Sequence, residues 1–268
     1  CALPIFRDAV GLRLAGDHHH EPAGEADVLG EARALVADRV LRDLHQDRLA
    51  VLQDLLDLRR AAAPVLVELA GVELHEAWPG AIVVYPQGLP ASRDGLSGWQ
   101  TEPGMDHDRD LKLVDEILVS LHKAFKVDDS RIYATGFSNG GHFSYLLWAE
   151  RPQVFAAFAP VAGRIRNAVP KLPKPLLHIG GNNDHQVDFS DQVEAMEIAR
   201  MVNGVSTKPD RCQTAIPTGA CMLYASTNGT PVMTVVFVGS HEYPYGTSQQ
   251  IVKFFQQYKL EPVKSATR

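Results

Sequence analysis

The stretch RIYATGFSNGG, residues 131–141, places one serine between glycines at the end of a short apolar run. The β-branched and aromatic residues at its start predict a strand over residues 131–135, and residues 140–151 have the spacing of a helix. A Gly-x-Ser-x-Gly pattern between a strand and a helix is typical of a nucleophile elbow; a chance match in a loop is the alternative. We therefore expect a strained backbone at Ser138 with its hydroxyl exposed, and an N–H of Asn139 that can stabilise a developing oxyanion.

Strands and helices also alternate through the rest of the chain beyond residue 80. Strands are predicted at 81–85, 155–161, 175–179, 222–225 and 232–238, and helices at 109–125, 190–201 and 247–258. Residues 86–108 are rich in Gly, Pro, Ser and Asp and predict a long loop. This alternation predicts an α/β fold in which a mostly parallel sheet is covered by helices on both faces.

A serine hydroxyl is a weak nucleophile, so it needs a histidine base, which in turn needs an acid to orient it. With this elbow the acid follows the serine along the chain, and the histidine follows the acid. Asp184 comes directly after a predicted strand, and Asp188 is an alternative four residues later. His241 also follows a strand, with His185 and His142 as alternatives, although a helical position favours a packing role for His142. We favour Asp184 and His241, because α/β sheets place their sites beyond strand ends.

The composition excludes several classes of partner. The 268 residues carry a formal net charge of −6 and show no basic stripe, which disfavours nucleic acid and anionic membrane surfaces. No stretch reaches the roughly 18 consecutive apolar residues of a membrane-spanning helix. We also expect a monomer that uses neither a metal nor another cofactor.

The first 80 residues differ in composition from the remainder, since they contain no Ser, Thr, Asn, Lys, Tyr or Met. Apolar spacing predicts a solvated helix pair over residues 26–60, and residues 64–69 predict a short strand. The run His18-His19-His20 is a metal-site alternative, but its turn-rich setting favours a solvated run. We expect residues 1–74 to be a separate, mainly helical segment or a stretch read in another frame. The chain begins with Cys and shows no signal-sequence pattern, which predicts a processed or incomplete form.

Several segments together resemble the polyhydroxybutyrate depolymerase-type esterases, a branch of the α/β-hydrolases that includes feruloyl and acetylxylan esterases. The matching segments within residues 75–260 are HEAWPGAIVVYPQGL (75–89), GWQ (98–100), RDLK (109–112), RIYATGFSNGG (131–141), FAAFAPVAG (155–163), GNNDHQV (181–187) and GSHEYP (239–244). The resemblance implies an α/β-hydrolase domain over residues 75–268 with Ser138 as nucleophile, Asp184 as acid and His241 as base. It also implies an ester substrate, which is a polyester or a feruloylated or acetylated plant polysaccharide.

The resemblance implies further roles for two segments. Trp99 and Gln100 follow a strand, so we expect them to line the substrate site, with simple packing as the alternative for Trp99. Relatives of this type often carry a cysteine pair at the position of Cys212 and Cys221, which implies a disulfide and an extracellular or periplasmic protein. Two reduced thiols in a cytosolic enzyme are the alternative.

One feature of the esterase pattern is missing from the sequence. Members of the family carry a His-Gly oxyanion loop after an earlier strand, and residues 1–74 contain no His-Gly pair. Residues 64–69 imitate that strand, with Ala70 in place of the histidine, but lie too close to residue 81. We therefore expect an incomplete central sheet and a weak esterase. The alternative is an impaired protein with a hydrolase fold that at most binds carbohydrate or polyester; a serine peptidase would need a gating domain.

Overall fold

A computed structural model describes residues 10–13, 63–68, 74–90 and 97–260, which build one twisted sheet with helices on both faces. The nine described strands are β1 (Val10–Arg13), β2 (Ala63–Glu68), β3 (Ile82–Pro86), β4 (Val127–Phe137), β5 (Ala157–Val161), β6 (Leu176–Gly181), β7 (Asp210–Cys212), β8 (Gly219–Tyr224) and β9 (Val232–Phe237). Their order across the sheet is β1-β3-β2-β4-β5-β6-β9-β8-β7. The six strands from β3 to β9 along this order are parallel, whereas β1, β8 and β7 pair antiparallel at the two edges. The mostly parallel α/β sheet predicted from the alternation is confirmed.

The bounds of the predicted elements agree with the structure to within a few residues, except that β4 is longer. The sequence analysis does not predict the strands at Val10–Arg13 and Asp210–Cys212 or the helix at Leu74–Ala77. The helices are α1 (Leu74–Ala77), α2 (Arg109–Ala124), α3 (Asn139–Glu150), α4 (Phe189–Asn203) and α5 (Thr247–Phe255). A 3₁₀ turn, Met105–Asp108, interrupts the predicted long loop.

Alternation along the central strands divides the core into two apolar layers. In β4, Ile132 and Ala134 face the layer beneath α2, α3 and part of α4, whereas Tyr133 faces the layer beneath α1 and α5. Successive side chains of a strand point to opposite faces, so a sheet buried on both sides needs nearly continuous apolar strands. This explains why the central strands read as apolar runs rather than as an alternating pattern.

The expectation of an incomplete central sheet was wrong. Strand β2 lies between β3 and β4 and pairs with both in parallel, through Val65 with Ile82 and with Ile132. A parallel crossover can be short when its helix is short, and α1 between β2 and β3 has only four residues. Residue 81 is therefore not too close to this strand. The helix pair at 26–60, the histidines at 18–20 and Ala70 lie outside the described residues.

At the far edge of the sheet, β7 and β8 form a hairpin that a disulfide closes. Cys212 and Cys221 are directly paired across the two strands, and their sulfur atoms are bonded. The disulfide implied by the resemblance is confirmed. Constraining a loop of this size contributes about 2.7 kcal/mol in the chain-entropy account.

Among the described residues, no helix is long and apolar enough to cross a membrane.

Candidate active site

The serine of the elbow lies at the sharp turn from β4 into α3. Ser138 has φ 57° and ψ −115°, a conformation that non-glycine residues rarely adopt. Its N–H donates to the carbonyl oxygen of Val161 at 2.9 Å, which fixes the turn against β5. A Cβ at Gly141 would lie 2.7 Å from that same carbonyl oxygen, so the helix can approach β5 only with glycine there. The expected strained serine is confirmed.

The imidazole of His241 reaches the serine from the loop after β9. Its Nε2 lies 2.8 Å from Ser138 Oγ, and the side chain is 8% exposed. The ring of Phe137 packs against it at a centroid distance of 4.7 Å. The histidine is therefore held at hydrogen-bonding distance from the hydroxyl and is largely buried.

The carboxylate of Asp184 completes the series from the loop after β6. Its Oδ2 lies 2.8 Å from His241 Nδ1, and its Oδ1 accepts the backbone N–H groups of Gln186 and Val187 at 2.9 and 3.0 Å. Burial by itself raises the pKa of Asp184, but the bond to His241 and the two backbone bonds outweigh it and lower the pKa below its ordinary value of 3.8. The acid is therefore ionised whenever the protein is folded near neutral pH.

The loops that carry the acid and the histidine are bonded to each other. Asn182 donates its backbone N–H to Phe237 O at 3.0 Å, and Asn183 donates its own to Gly239 O at 2.9 Å. A Cβ at Gly181 would overlap the carbonyl oxygens of the second loop. The glycine thus permits the close approach that brings Asp184 to the histidine.

The rival residues lie elsewhere. Asp188 stands at the start of α4, and its side chain and that of His185 are exposed. His142 is buried beside the site, and its Nδ1 accepts the backbone N–H of Arg164 at 2.9 Å. Burial, reinforced by Arg166 and Arg164, lowers the pKa of His142 to about 4. The structure thus brings Ser138 to neither of the rival histidines but to His241.

Asn139, the expected oxyanion residue, is fixed through its side chain. Its Oδ1 accepts the N–H of Trp99 at 2.6 Å, and its Nδ2 donates to the carbonyl oxygen of Trp99 at 3.1 Å. The indole of Trp99 is buried and stacks on Phe143 at a centroid distance of 5.3 Å. The first N–H groups of a helix have no partner within the helix, so the backbone N–H of Asn139 can serve a bound oxyanion. Trp99 therefore packs in the core and holds Asn139 with its backbone.

The expectation that Gln100 contacts substrate was wrong. Its side chain is 0% exposed, and Oε1 accepts the N–H groups of Asp110 and Leu111, the first turn of α2. Its Nε2 donates to Glu102 O and Asp108 Oδ1 at 3.0 and 2.9 Å. The side chain caps a helix from a distant loop, a role usually filled by the residue at the helix start.

Sequence reasoning missed Gln192, whose side chain touches the acid. Its Nε2 donates to Asp184 Oδ2 at 2.9 Å from within α4, and the side chain is 0% exposed. The sequence contains one indirect signal for this contact, which is the Gly180-Gly181 pair at the end of β6. A Cβ at Gly180 would overlap Gln192 Oε1. A glycine pair at a strand end does not by itself identify the side chain that crosses it.

Sequence relatives of the chain are esterases and depolymerases. It is 33% identical over 117 residues to a bifunctional acetylxylan esterase/xylanase of Neocallimastix patriciarum (43% of this chain, 16% of the relative) and 32% identical over 119 residues to a probable feruloyl esterase C of Aspergillus niger (44% and 40%). It is 25% identical over 186 residues to poly(3-hydroxyalkanoate) depolymerase C of Paucimonas lemoignei (56% and 44%). The chain spans less than half the length of these relatives. No protein-family model matches it.

Solved structures agree on the fold. The acetyl xylan esterase from Aspergillus awamori superposes with a TM-score of 0.58 at 14% identity, covering 73% of this chain and 89% of that one. The Bacillus cereus carboxylesterase gives 0.52 at 17% identity, covering 73% and 88%. The chain therefore has the α/β-hydrolase fold, and its sequence is similar to proteins named feruloyl esterase, acetylxylan esterase and poly(3-hydroxyalkanoate) depolymerase.

Proposed function

We propose that the protein hydrolyses carboxylic esters with Ser138 as nucleophile, His241 as general base and acid, and Asp184 as the orienting carboxylate. The observation that carries this proposal is the continuous series of two 2.8 Å hydrogen bonds from Ser138 Oγ through the imidazole to Asp184 Oδ2. The same three groups in the same roles recur in hydrolases of several folds. The esterase names of the sequence relatives support the reaction class.

In this reaction Ser138 Oγ attacks the ester carbonyl while Nε2 of His241 takes the hydroxyl proton. The imidazolium is stabilised by Asp184, which accepts the Nδ1–H and remains ionised. His241 then gives its proton to the alkoxide, and the alcohol leaves. Water attacks the acyl-serine with His241 again as base, which releases the carboxylic acid and restores the serine hydroxyl.

The negative charge on the carbonyl oxygen needs donors in place before the attack. The backbone N–H of Asn139, at the start of α3, supplies one, and the positive end of the helix dipole adds to it. This fold takes its second donor from the loop after the strand in the position of β2, and that loop falls on residues 69–73, outside the described residues. The second donor, and with it the expected weak activity, stays a prediction.

The substrate class follows from the relatives rather than from the triad. We propose a polyester or a feruloylated or acetylated plant polysaccharide, as the names of the three relatives suggest. Such substrates are found outside the cell, and the disulfide between Cys212 and Cys221 supports an oxidising compartment. We therefore propose an extracellular or periplasmic protein that acts as a monomer and uses neither a metal nor a cofactor.

The proposal is tested by hydrolysis of p-nitrophenyl acetate and by labelling with an organophosphonate. Ser138→Ala should abolish both the turnover and the label. Ser144→Ala is the matched control, because Ser144 is buried further along the same helix and, among the described residues, its hydroxyl donates to the carbonyl oxygen of Gly140. A folded, unmodified protein that takes no label and releases no nitrophenol would contradict the proposal.

A further inference from the structure

A line of buried polar side chains lies behind the acid, and the reaction described above makes no use of it. Tyr145 in α3, His178 in β6 and Gln192 in α4 are each almost completely buried. The hydroxyl of Tyr145 lies 2.8 Å from His178 Nδ1, and His178 Nε2 lies 3.2 Å from Gln192 Oε1. Gln192 Nε2 in turn lies 2.9 Å from Asp184 Oδ2. Three elements of the fold therefore converge on one carboxylate.

The donors and acceptors along this line have only one consistent assignment. Gln192 Nε2 uses its hydrogens on Asp184 Oδ2 and on the carbonyl oxygen of Val187, so Oε1 is the acceptor. His178 must then carry its proton on Nε2, which leaves Nδ1 bare to accept the hydroxyl hydrogen of Tyr145. Every hydrogen in the series points toward Asp184.

Protonation keeps that assignment near neutral pH. Complete burial lowers the pKa of His178 to about 4, against the opposing effect of Gln192, so its imidazole stays neutral and can donate and accept at once. Burial also raises the pKa of the Tyr145 hydroxyl, which therefore keeps its proton. Hydrogen bonds that run in one direction through a buried region strengthen one another.

We propose that Gln192 is a positioning residue that sets the carboxylate plane of Asp184 toward His241, and that His178 and Tyr145 fix the amide of Gln192. The role rests on the proposed function of the triad. Two backbone N–H groups hold only Oδ1, whereas Oδ2 receives both His241 and Gln192. Without the amide, the carboxylate can turn about its Cβ–Cγ bond, and the histidine loses its fixed partner.

The matched control for Gln192 is Asn203, at the other end of the same helix. Its amide also bridges α4 to the segment of β6, since Asn203 Nδ2 donates to Lys174 O and its Oδ1 accepts Lys174 N. Both side chains are buried, but only Gln192 touches the acid. Gln192→Met and Asn203→Leu should both lower the melting temperature. Only Gln192→Met should lower kcat for p-nitrophenyl acetate, by about 10²-fold at unchanged KM, because misplaced catalytic groups cost about that much.

A double variant tests whether the line acts as a unit. Tyr145→Phe deletes one hydroxyl that is two side chains away from Asp184, and we expect it to give a smaller loss of kcat. Combined with Gln192→Met it should cause no further loss, because the connection is already broken. Combined with Asn203→Leu its effect should add in full. Additive effects in both combinations would overturn the proposed connection.

An NMR measurement separates this proposal from the proposed function. The Nδ1–H proton between His241 and Asp184 gives a downfield resonance that needs no substrate. It should move in Gln192→Met and stay in place in Asn203→Leu. If the unmodified protein hydrolyses no aryl ester, the function fails while the resonance still tests the positioning role. Equal resonances and equal kcat in the two variants would overturn that role. Should Gln192→Met not fold, Gln192→Glu, which keeps the size and the acceptor for His178, replaces it in the same comparison.

Discussion

Two buried glutamines support the two halves of the site in different ways. Gln192 and Gln100 are both 0% exposed, and both use the oxygen and the nitrogen of the amide. Gln192 donates directly to the carboxylate that contacts the histidine. Gln100 instead bonds the start of α2 and its own loop, and it reaches the elbow only through the backbone of its neighbour Trp99. Gln192 thus supports the acid half by a direct bond to the acid, whereas Gln100 supports the oxyanion half indirectly, through the loop backbone.

The carboxylates that contact the two glutamines also differ, in the direction of their pKa shifts. The pKa of Asp184 is lowered because its hydrogen bonds outweigh burial, whereas burial raises the pKa of Asp110 despite the N–H of Gln100 and the charge of Arg109. Asp184 is thus stabilised as a charge, as a partner for an imidazolium must be. Burial disfavours the charged form of Asp110, and its carboxylate bonds the backbone of the loop at Gln100, which is a structural role.

The largest expected effect tests whether Asp184, and not Asp188, is the acid that orients His241. Asp184→Asn should lower kcat on the order of 10⁴-fold, because an amide in place of the carboxylate stabilises the wrong imidazole tautomer. Asp188→Asn is the control, since that side chain is exposed at the start of α4. Steady-state kinetics on an aryl ester gives the comparison. A large loss in Asp188→Asn and none in Asp184→Asn would transfer the role.

The oxyanion half should respond more weakly. Asn139→Ala keeps the backbone N–H but removes both bonds to Trp99, so we expect kcat to fall about tenfold, less than the 10²–10³ that follows loss of a whole donor. Ser144→Ala in the same helix serves as the control. Kinetics with melting temperatures separates loosening from unfolding. A loss in Asn139→Ala as large as that in Asp184→Asn would show that the side chain acts in the chemistry itself.

Gln100→Leu sharpens the contrast between the two glutamines. The change leaves the N–H groups of Asp110 and Leu111 without their acceptor, and a buried unsatisfied group costs about 1–3 kcal/mol of unfolding free energy. We expect kcat to fall less than tenfold. Gln250→Leu is the matched control in denaturant unfolding, because Gln250 is also buried and accepts a backbone N–H, that of Ala215, through its side-chain oxygen. If Gln100→Leu lowers kcat as far as Gln192→Met does, the distinction between the two halves fails.

The sequence predicts those parts of the site that depend on local chain geometry. Ser138 lies in a tight turn that glycines reveal, and Asp184 and His241 follow buried strands, so periodicity and chain order locate all three. Gln100 and Gln192 could not be found in this way. Each side chain bonds a group that lies 8 to 11 residues away along the chain. A polar residue in a loop or on a helix has no local signal for where its amide points. The strand β2 was predicted, but its place between β3 and β4 was not, because the short helix α1 makes the spacing to β3 unusual.

The smallest expected effect is the pH dependence of stability. As the pH falls, protonation of Asp184 should lower the melting temperature, whereas protonation of Asp110 should raise it. The folded pKa of Asp184 lies below its ordinary 3.8, so its stabilisation is complete above that value and is lost as the pH falls through the folded pKa. The melting-temperature difference between the unmodified protein and Asp184→Asn should therefore shrink below about pH 4. The folded pKa of Asp110 lies above 3.8, so protonation relieves a cost as the pH falls through it. The corresponding difference for Asp110→Asn should grow as the pH falls from neutral through the raised pKa of Asp110. Thermal unfolding of the three proteins from neutral pH to below about pH 4 measures both slopes. Slopes of equal sign would contradict the distinction between a carboxylate that is stabilised as a charge and one whose charge burial disfavours.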